Sequence, residues 1–131
     1  MPRKQSRSFT DVELEFMQII WERGEVTPDE INTALKGKNR NISPGSIRNV
    51  LSIMMAKKYI TRRKDNKAYR YSAIIDKHSA QKGMVNTLLT DVFNGSESLV
   101  VATLLERDSL DTDELCKIKK LIQEHEERNG Q

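Results

Sequence analysis

The chain has 131 residues, of which 37% are hydrophobic and 31% charged, and its net charge is +3. This composition suits one small domain with an appendage, or two small units with thin cores. There is no run of about 18 apolar residues, and no apolar run follows the basic N-terminus, so we expect neither membrane insertion nor a signal peptide. The single Cys116 excludes an intramolecular disulfide and predicts a reducing, cytoplasmic location.

Signatures of catalysis and of metal binding are missing from the sequence. It contains no Ser/His/Asp set, no paired carboxylates suited to a cleft and no Gly-rich phosphate loop. His78, His125 and Cys116 are too few ligands for a structural zinc site within one chain. We therefore predict that the protein is not an enzyme and has neither a metal site nor a cofactor.

Charge is divided unevenly along the chain. Residues 1–70 contain 15 Lys and Arg against 8 Asp and Glu, whereas residues 71–131 contain 7 against 11. Eleven of the basic residues lie between Lys36 and Arg70, where Asp65 is the only acid. Such a segment favours a polyanion, and nucleic acid is the expected one for a small protein. The alternative is that the basic run is an ordinary solvated face.

Three helices are predicted in the first half of the chain, each with its own start signal. A hydroxyl residue at the cap and a Glu three residues later form a capping box, and Pro suits the first helical position. The start signals are Thr10 with Glu13, Thr27 with Pro28 and Glu30, and Ser43 with Pro44. Gly24 and Gly37 are typical of helix ends. We predict helices over about 11–23 and 44–57, with a short helix between them.

Helix 3 and the segment after it carry the candidate binding residues. The helix has an apolar face and a polar face without acids, and two β-prone runs around an Asp-Asn turn then predict a basic hairpin. This order is typical of a winged helix-turn-helix, in which helix 3 reads base edges and the wing binds phosphates or enters the minor groove. The candidate DNA-binding residues are Ser43, Ser46, Arg48, Asn49 and Ser52 on the helix, and Arg62, Arg63, Lys64, Lys67 and Arg70 on the wing. The alternatives are a winged helix for protein contacts and a non-specific architectural DNA binder.

Three aromatic residues of this half have structural or binding interpretations. Tyr69 and Tyr71 share one face of the second wing strand and could stack on bases. Tyrosines on a strand more commonly pin the wing to helix 3, and we expect that role for both. Trp21 is predicted to lie in the core.

The second half is predicted to be helical throughout, with helices that start at Asp76, Ser96 and Asp111. Its apolar stripes exceed what three short helices can bury, which predicts a homodimer, and two recognition helices one turn apart suit a palindromic operator. The predicted dimerisation residues are Leu88, Val92, Leu99, Leu104, Leu115, Ile118, Leu121 and Ile122, with the last helix as the seam. The alternative is that these helices pack back onto the winged helix. The predicted domains are a flexible basic tail (1–9), a winged helix (10–73) and a helical dimerisation domain (74–131).

Four segments together resemble the penicillinase repressor (BlaI/MecI/CopY) family over about residues 9–124. Residues 15–24 are similar to the family's E-x-M-x-x-x-W-x-x-G element, and residues 43–51 are similar to its recognition helix. Residues 66–71 are similar to its G-R-x-Y-x-Y wing, and residues 93–100 are similar to its F-x-G-S…L-V segment. The resemblance implies a homodimeric bacterial repressor on a dyad operator, often with TACA-type half-sites. It also implies that Gly45, Ser46, Arg48 and Asn49 face the groove.

Some positions depart from the family pattern. Gly45 and Ile53 stand where basic residues are common, and Asn66-Lys67 replaces Gly-Arg. The family implies a sensor protease as a further partner, which relieves repression by cutting an Asn-Phe pair in helix 5. Ala102-Thr103 occupies that place here, which argues against cleavage by the same protease.

Overall fold

The computed structural model describes residues 9–130, so the predicted tail, apart from Phe9, lies outside the described residues. The elements are α1 (Asp11–Arg23), β1 (Glu25–Val26), α2 (Pro28–Lys36), α3 (Pro44–Ala56), β2 (Ile60–Asp65), β3 (Ala68–Ala73), α4 (Lys77–Asp91), α5 (Glu97–Leu105) and α6 (Thr112–Gly130). The described chain divides into two compact units, residues 9–85 and residues 86–130. The mainly helical winged helix-turn-helix predicted for the first half is confirmed.

The first two helices begin with the predicted capping boxes. The hydroxyl of Thr10 accepts from the backbone N–H of Glu13 at 3.1 Å, and the Glu13 carboxylate accepts from the Thr10 N–H at 2.9 Å. Thr27 and Glu30 make the same exchange at the start of α2. Ser43 caps α3 through its hydroxyl without a reciprocal Glu. Each cap satisfies backbone donors that have no partner within the helix, so all three helices begin where predicted.

The wing is an antiparallel hairpin, as predicted, but its turn is shifted by one residue. The pair nearest the turn is Asp65 with Ala68, so the turn residues are Asn66 and Lys67 and not Asp-Asn. Asn66 has a φ of 61°, in the left-handed region that Asn tolerates better than most residues other than Gly. The hairpin can therefore close without the glycine that is usual there in the family.

The short strand β1 was not predicted. Glu25 pairs with Ser72 and Val26 with Tyr71 of β3, which gives a three-stranded sheet in the order β1-β3-β2. Two residues are too few to show an alternating pattern, and they lie between the end of α1 and the cap of α2. The consequence of β1 is that Glu25 is fixed beside the wing.

The core of the first unit lies between α1, α2, α3 and the sheet. Its fully buried side chains are Phe16, Met17, Ile19, Ile20, Val26, Ile31, Leu35, Ile47, Leu51, Met54 and Ile60. Trp21 packs against this core and donates its indole N–H to the carbonyl of Ile75 at 2.9 Å. Its ring also meets Phe9 edge-on, with 6.2 Å between centroids. The structural role predicted for Trp21 is confirmed.

Glu13 is a buried acid that joins the start of α1 to the end of α3. The residue is only 4% exposed, and its carboxylate accepts a hydrogen bond from Lys57 Nζ at 2.8 Å. Burial by itself would raise the pKa of Glu13, but hydrogen bonds from Lys57 and Thr10, together with the Lys57 charge, lower it below its ordinary value of 4.5. The carboxylate therefore stabilises the fold above its unfolded pKa and loses that contribution as the pH falls through the lowered value.

We expect Glu13→Gln to lower the free energy of unfolding by about 1–2 kcal/mol at neutral pH, because a charge-assisted hydrogen bond to Lys57 is lost. The difference from the wild type should begin to shrink as the pH falls below 4.5, where the unfolded state binds the proton, and should be smallest below the lowered pKa, where the native carboxylate is also protonated. Urea denaturation at a series of pH values measures both effects. Glu22→Gln, at an exposed position of α1, is the control. A difference that persists unchanged into acid would exclude the charge of Glu13 as its cause.

The second unit buries little of its apolar surface within the chain. Ser96 caps α5 and the Asp111 carboxylate accepts from the backbone N–H of Glu114 at the start of α6, as predicted. Neither α5 nor α6 contains a buried residue. The exposed large apolar residues of this unit are Leu88, Val92, Leu99, Val101, Leu104, Leu105, Leu121 and Ile122. None of the described helices is both long enough and apolar enough to cross a membrane.

Candidate nucleic-acid interface

The outward face of α3 is polar and contains no acid. All the residues proposed for this face, Ser43, Gly45, Ser46, Arg48, Asn49 and Ser52, are exposed. Ile47, Leu51 and Met54 are buried on the opposite side and hold the helix to the core. A Cβ atom at Gly45 would meet no atom within 4 Å, so this position has room for a longer side chain. The helix therefore presents hydrogen-bonding side chains from a rigid base, as base reading requires.

A groove of about 400 Å³ lies between α3, the start of α2 and the wing. Its lining residues are Thr27, Pro28 and Asp29 from α2 and its cap, Arg48 and Ser52 from α3, and Arg62, Lys67, Ala68, Tyr69 and Tyr71 from the wing. Four residues of the sequence prediction, Arg48, Ser52, Arg62 and Lys67, are thus brought together in one concave surface. Three cations against the single carboxylate of Asp29 make this groove suitable for a phosphate backbone.

Asp29 and the other groove residues of α2 were missed by the sequence prediction. The predicted set came from α3 and the hairpin alone, whereas Asp29 lies in the first turn of α2, where an acid is expected from the helix dipole. The packing of α2 against α3 brings Asp29 near Arg48, and the pairing of β1 with β3 joins the start of α2 to the wing.

The basic segment 36–70 is less free than its composition implies. Four of its cations form ion pairs with acids, and each of the four pairs with at least one acid from outside the segment. The pairs are Arg40 with Glu15, Lys57 with Glu13, Arg63 with Glu25, and Arg70 with Asp65 and Glu30. Seven exposed cations have no carboxylate partner among residues 9–130: Lys36, Lys38, Arg48, Lys58, Arg62, Lys64 and Lys67. The segment therefore keeps an excess of positive charge, which is carried by these seven residues.

Two of the proposed wing arginines are paired within the domain. Arg63 donates two hydrogen bonds to Glu25, at 2.8 and 2.9 Å, and the bond from Arg63 lowers the pKa of that carboxyl. Arg70 donates to Asp65 at 2.8 Å, which lowers the pKa of Asp65, and also lies 3.8 Å from Glu30. A phosphate contact by either arginine would have to compete with these carboxylates.

The remaining wing cations, Arg62, Lys64 and Lys67, are exposed and have no carboxylate partner in the described chain. Lys67 lies in the turn and lines the groove, and Lys64 lies near the Tyr69 ring, with Nζ 5.9 Å from the ring centroid. Arg62 donates to the Tyr71 hydroxyl at 3.3 Å, and this bond raises the pKa of Arg62. The hydroxyl is neutral, so the charge of Arg62 is not cancelled.

The structural role predicted for the two wing tyrosines holds for one of them. Tyr71 is buried and belongs to the core cluster. Tyr69 is 38% exposed and does not join that cluster, so the prediction that it pins the wing to helix 3 is wrong. The reason is that Tyr69 lies closer to the turn, where its ring meets the side chains of Arg62 and Lys64 instead.

We expect Lys67→Ala to weaken binding to any DNA duplex and to reduce the slope of log affinity against log salt by about 0.9, the value for one phosphate contact. Arg63→Ala should change this slope less, because Glu25 already balances the charge of Arg63. Fluorescence anisotropy over a range of salt concentrations measures both slopes. Equal slope changes for the two variants would show that the Arg63–Glu25 pair opens on DNA.

Comparison with known proteins assigns the chain to a family. Residues 9–124 match the family model described as Penicillinase repressor. The chain belongs to the penicillinase repressor family. This membership places it among DNA-binding transcriptional repressors and agrees with the resemblance seen in the sequence.

Individual relatives match along most of their length. The Penicillinase repressor of Bacillus licheniformis is 26% identical over 125 residues, which cover 95% of this chain and 97% of the relative. The Methicillin resistance regulatory protein MecI of Staphylococcus aureus is 24% identical over 113 residues, 86% of this chain and 91% of that protein.

Solved structures support the fold. The DNA binding domain of the repressor BlaI has a TM-score of 0.50 and 26% identity, and the match covers 59% of this chain and 93% of that domain. The structure of hsRosR-SG has a TM-score of 0.53 at 12% identity over 93% of this chain and 96% of that chain, a likeness in fold alone.

Proposed function

We propose that this penicillinase repressor family member is a sequence-specific repressor that acts as a homodimer on a palindromic operator. The observation that carries the proposal is the groove in which Arg48 and Ser52 of α3 lie beside Arg62 and Lys67 of the wing. Side chains on α3 would read base edges in the major groove, while the wing cations would bind the phosphate backbone. The proposal implies a cytoplasmic location and duplex DNA as the main partner.

Support for the homodimer comes from the second unit. Its helices carry large apolar side chains that this chain leaves exposed, among them Val92, Leu121 and Ile122. This number of exposed large apolar side chains on one small unit favours association, and a second copy is the partner that a palindrome requires. Leu115 and Ile118 are partly buried, and the proposed seam includes them with Leu88, Leu99 and Leu104.

The proposal includes relief by a sensor protease, as in the family. Ala102 and Thr103 stand where the Asn-Phe pair would be, and both are exposed on α5. The protease would therefore have to cleave a peptide bond other than the Asn-Phe bond.

Selection of duplexes from a randomised pool, followed by binding at physiological salt, tests the function. We expect the selected sequences to contain an inverted repeat and to bind roughly a thousandfold or more tightly than a scrambled duplex. Equal, salt-sensitive affinity for both duplexes would favour a non-specific architectural binder. Loss of all binding at physiological salt would favour a winged helix for protein contacts.

A further inference from the structure

Arg62 is held from two sides by aromatic side chains of β3. Its guanidinium carbon lies 3.8 Å from the centroid of the Tyr69 ring, and one of its N–H groups donates to the Tyr71 hydroxyl at 3.3 Å. Tyr71 is buried, so the core fixes the position of its hydroxyl. Tyr69 stands at the edge of the groove, where its ring is available to the guanidinium.

The register of the hairpin explains this geometry. Arg62 is opposite Tyr71, and Lys64 is opposite Tyr69, so Arg62 reaches the Tyr69 ring along a diagonal of the sheet face. The diagonal runs toward the turn at Asn66-Lys67. The side chain of Arg62 is therefore directed along the wing and into the groove that Arg48 lines on the other side.

Both partners of Arg62 leave its charge and most of its donors free. Arg63 and Arg70 are balanced by carboxylates, whereas Tyr69 and Tyr71 are neutral. A guanidinium that lies over a ring keeps its N–H groups in its own plane, where a phosphate can accept two of them. A side chain already held in place also loses less rotamer freedom on binding.

We propose that Tyr69 is a positioning residue that holds Arg62 as a preformed phosphate contact, so that a DNA strand runs through the groove between α3 and the wing. The inference rests on the proposed function and adds a role that the sequence prediction did not give Tyr69. Tyr69 acts through Arg62 and need not touch the DNA itself.

A double-mutant cycle tests this role with Tyr69→Leu, Arg62→Ala and the double variant, each measured on the selected duplex and on a scrambled duplex. We expect Tyr69→Leu to weaken binding about two- to fivefold, the range for an exposed cation–π contact. The same substitution in the Arg62→Ala background should have no further effect. Arg62→Ala should reduce the salt slope by about 0.9 on both duplexes.

Tyr69→Phe is the matched control, since it keeps the ring and removes only the hydroxyl. We expect it to bind as the wild type does, and thermal melts should show all variants folded, because Tyr69 is outside the core. Equal losses from Tyr69→Leu with and without Arg62 would overturn the inference and mean that Tyr69 contacts the DNA directly or acts through Lys64, whose Nζ lies 5.9 Å from its ring centroid. Wild-type binding by Tyr69→Leu would also overturn it.

The failure of the proposed function has a different signature. If the wild type bound the selected and scrambled duplexes equally, sequence-specific repression would be excluded. The coupling between Tyr69 and Arg62 could still be measured on the scrambled duplex, because a phosphate contact does not depend on sequence.

Discussion

Leu121→Asp should convert the protein from a dimer to a monomer. Leu121 is 64% exposed on α6, so the substitution costs the folding of one chain little. In the proposed seam the new carboxylate would be taken out of water without a partner, and twofold symmetry would place one on each subunit. We expect association to weaken by roughly a hundredfold or more, corresponding to about 3 kcal/mol.

Sedimentation analysis measures this effect, since the wild type should have twice the chain mass of 15.1 kDa. Gln123→Asp introduces the same charge on the same helix, away from the apolar stripe, and is the control. Ile118→Asp should also break the dimer, but Ile118 is partly buried within the chain, so its effect on folding must be measured too. A Leu121→Asp variant that still sediments as a dimer would show that the dimer interface does not include this face of α6.

Arg48→Ala should cause a loss of binding that depends on sequence. Arg48 is exposed on α3, lines the groove and has no hydrogen-bond or ion-pair partner within residues 9–130. Its guanidinium is therefore free to make two hydrogen bonds to a base edge, the geometry by which Arg recognises guanine. We expect a loss of about 1–3 kcal/mol on the selected duplex, or about five- to 150-fold, and a much smaller loss on a scrambled duplex.

Anisotropy titrations of both duplexes give this comparison directly. Arg23→Ala removes one exposed positive charge at the end of α1 and serves as the control for net charge. Asn49→Ala, on the same exposed face of α3, should show the same selective loss. Equal losses on the two duplexes would make Arg48 a phosphate contact instead of a base-reading residue.

Local signals made most of the fold of the first unit predictable. Capping residues such as Thr10, Thr27 and Ser43 act within three residues, so they can be read from sequence and they place the helix starts correctly. The hairpin followed from β-prone runs on either side of a polar turn. Strand β1 is the exception, because only its pairing with β3 defines it.

The interface was predictable only in part, for a physical reason. The sequence shows which residues are basic but not which acids the fold brings to them. Arg63 was proposed as a free phosphate contact, yet Glu25, distant in sequence, binds it through two hydrogen bonds. Tyr69 was expected to pack against helix 3, because its strand position does not show that its ring lies against Arg62 and Lys64. Such long-range pairings decide which of the many cations are available to DNA.

The measurement that tests the central claim most directly compares the selected inverted repeat with the same duplex after one half-site has been scrambled. A dimeric repressor should bind the intact repeat with two subunits per duplex, and loss of one half-site should weaken binding by about a hundredfold or more, since several base contacts disappear together. Equal affinity for the two duplexes, or one subunit on the intact repeat, would contradict the account.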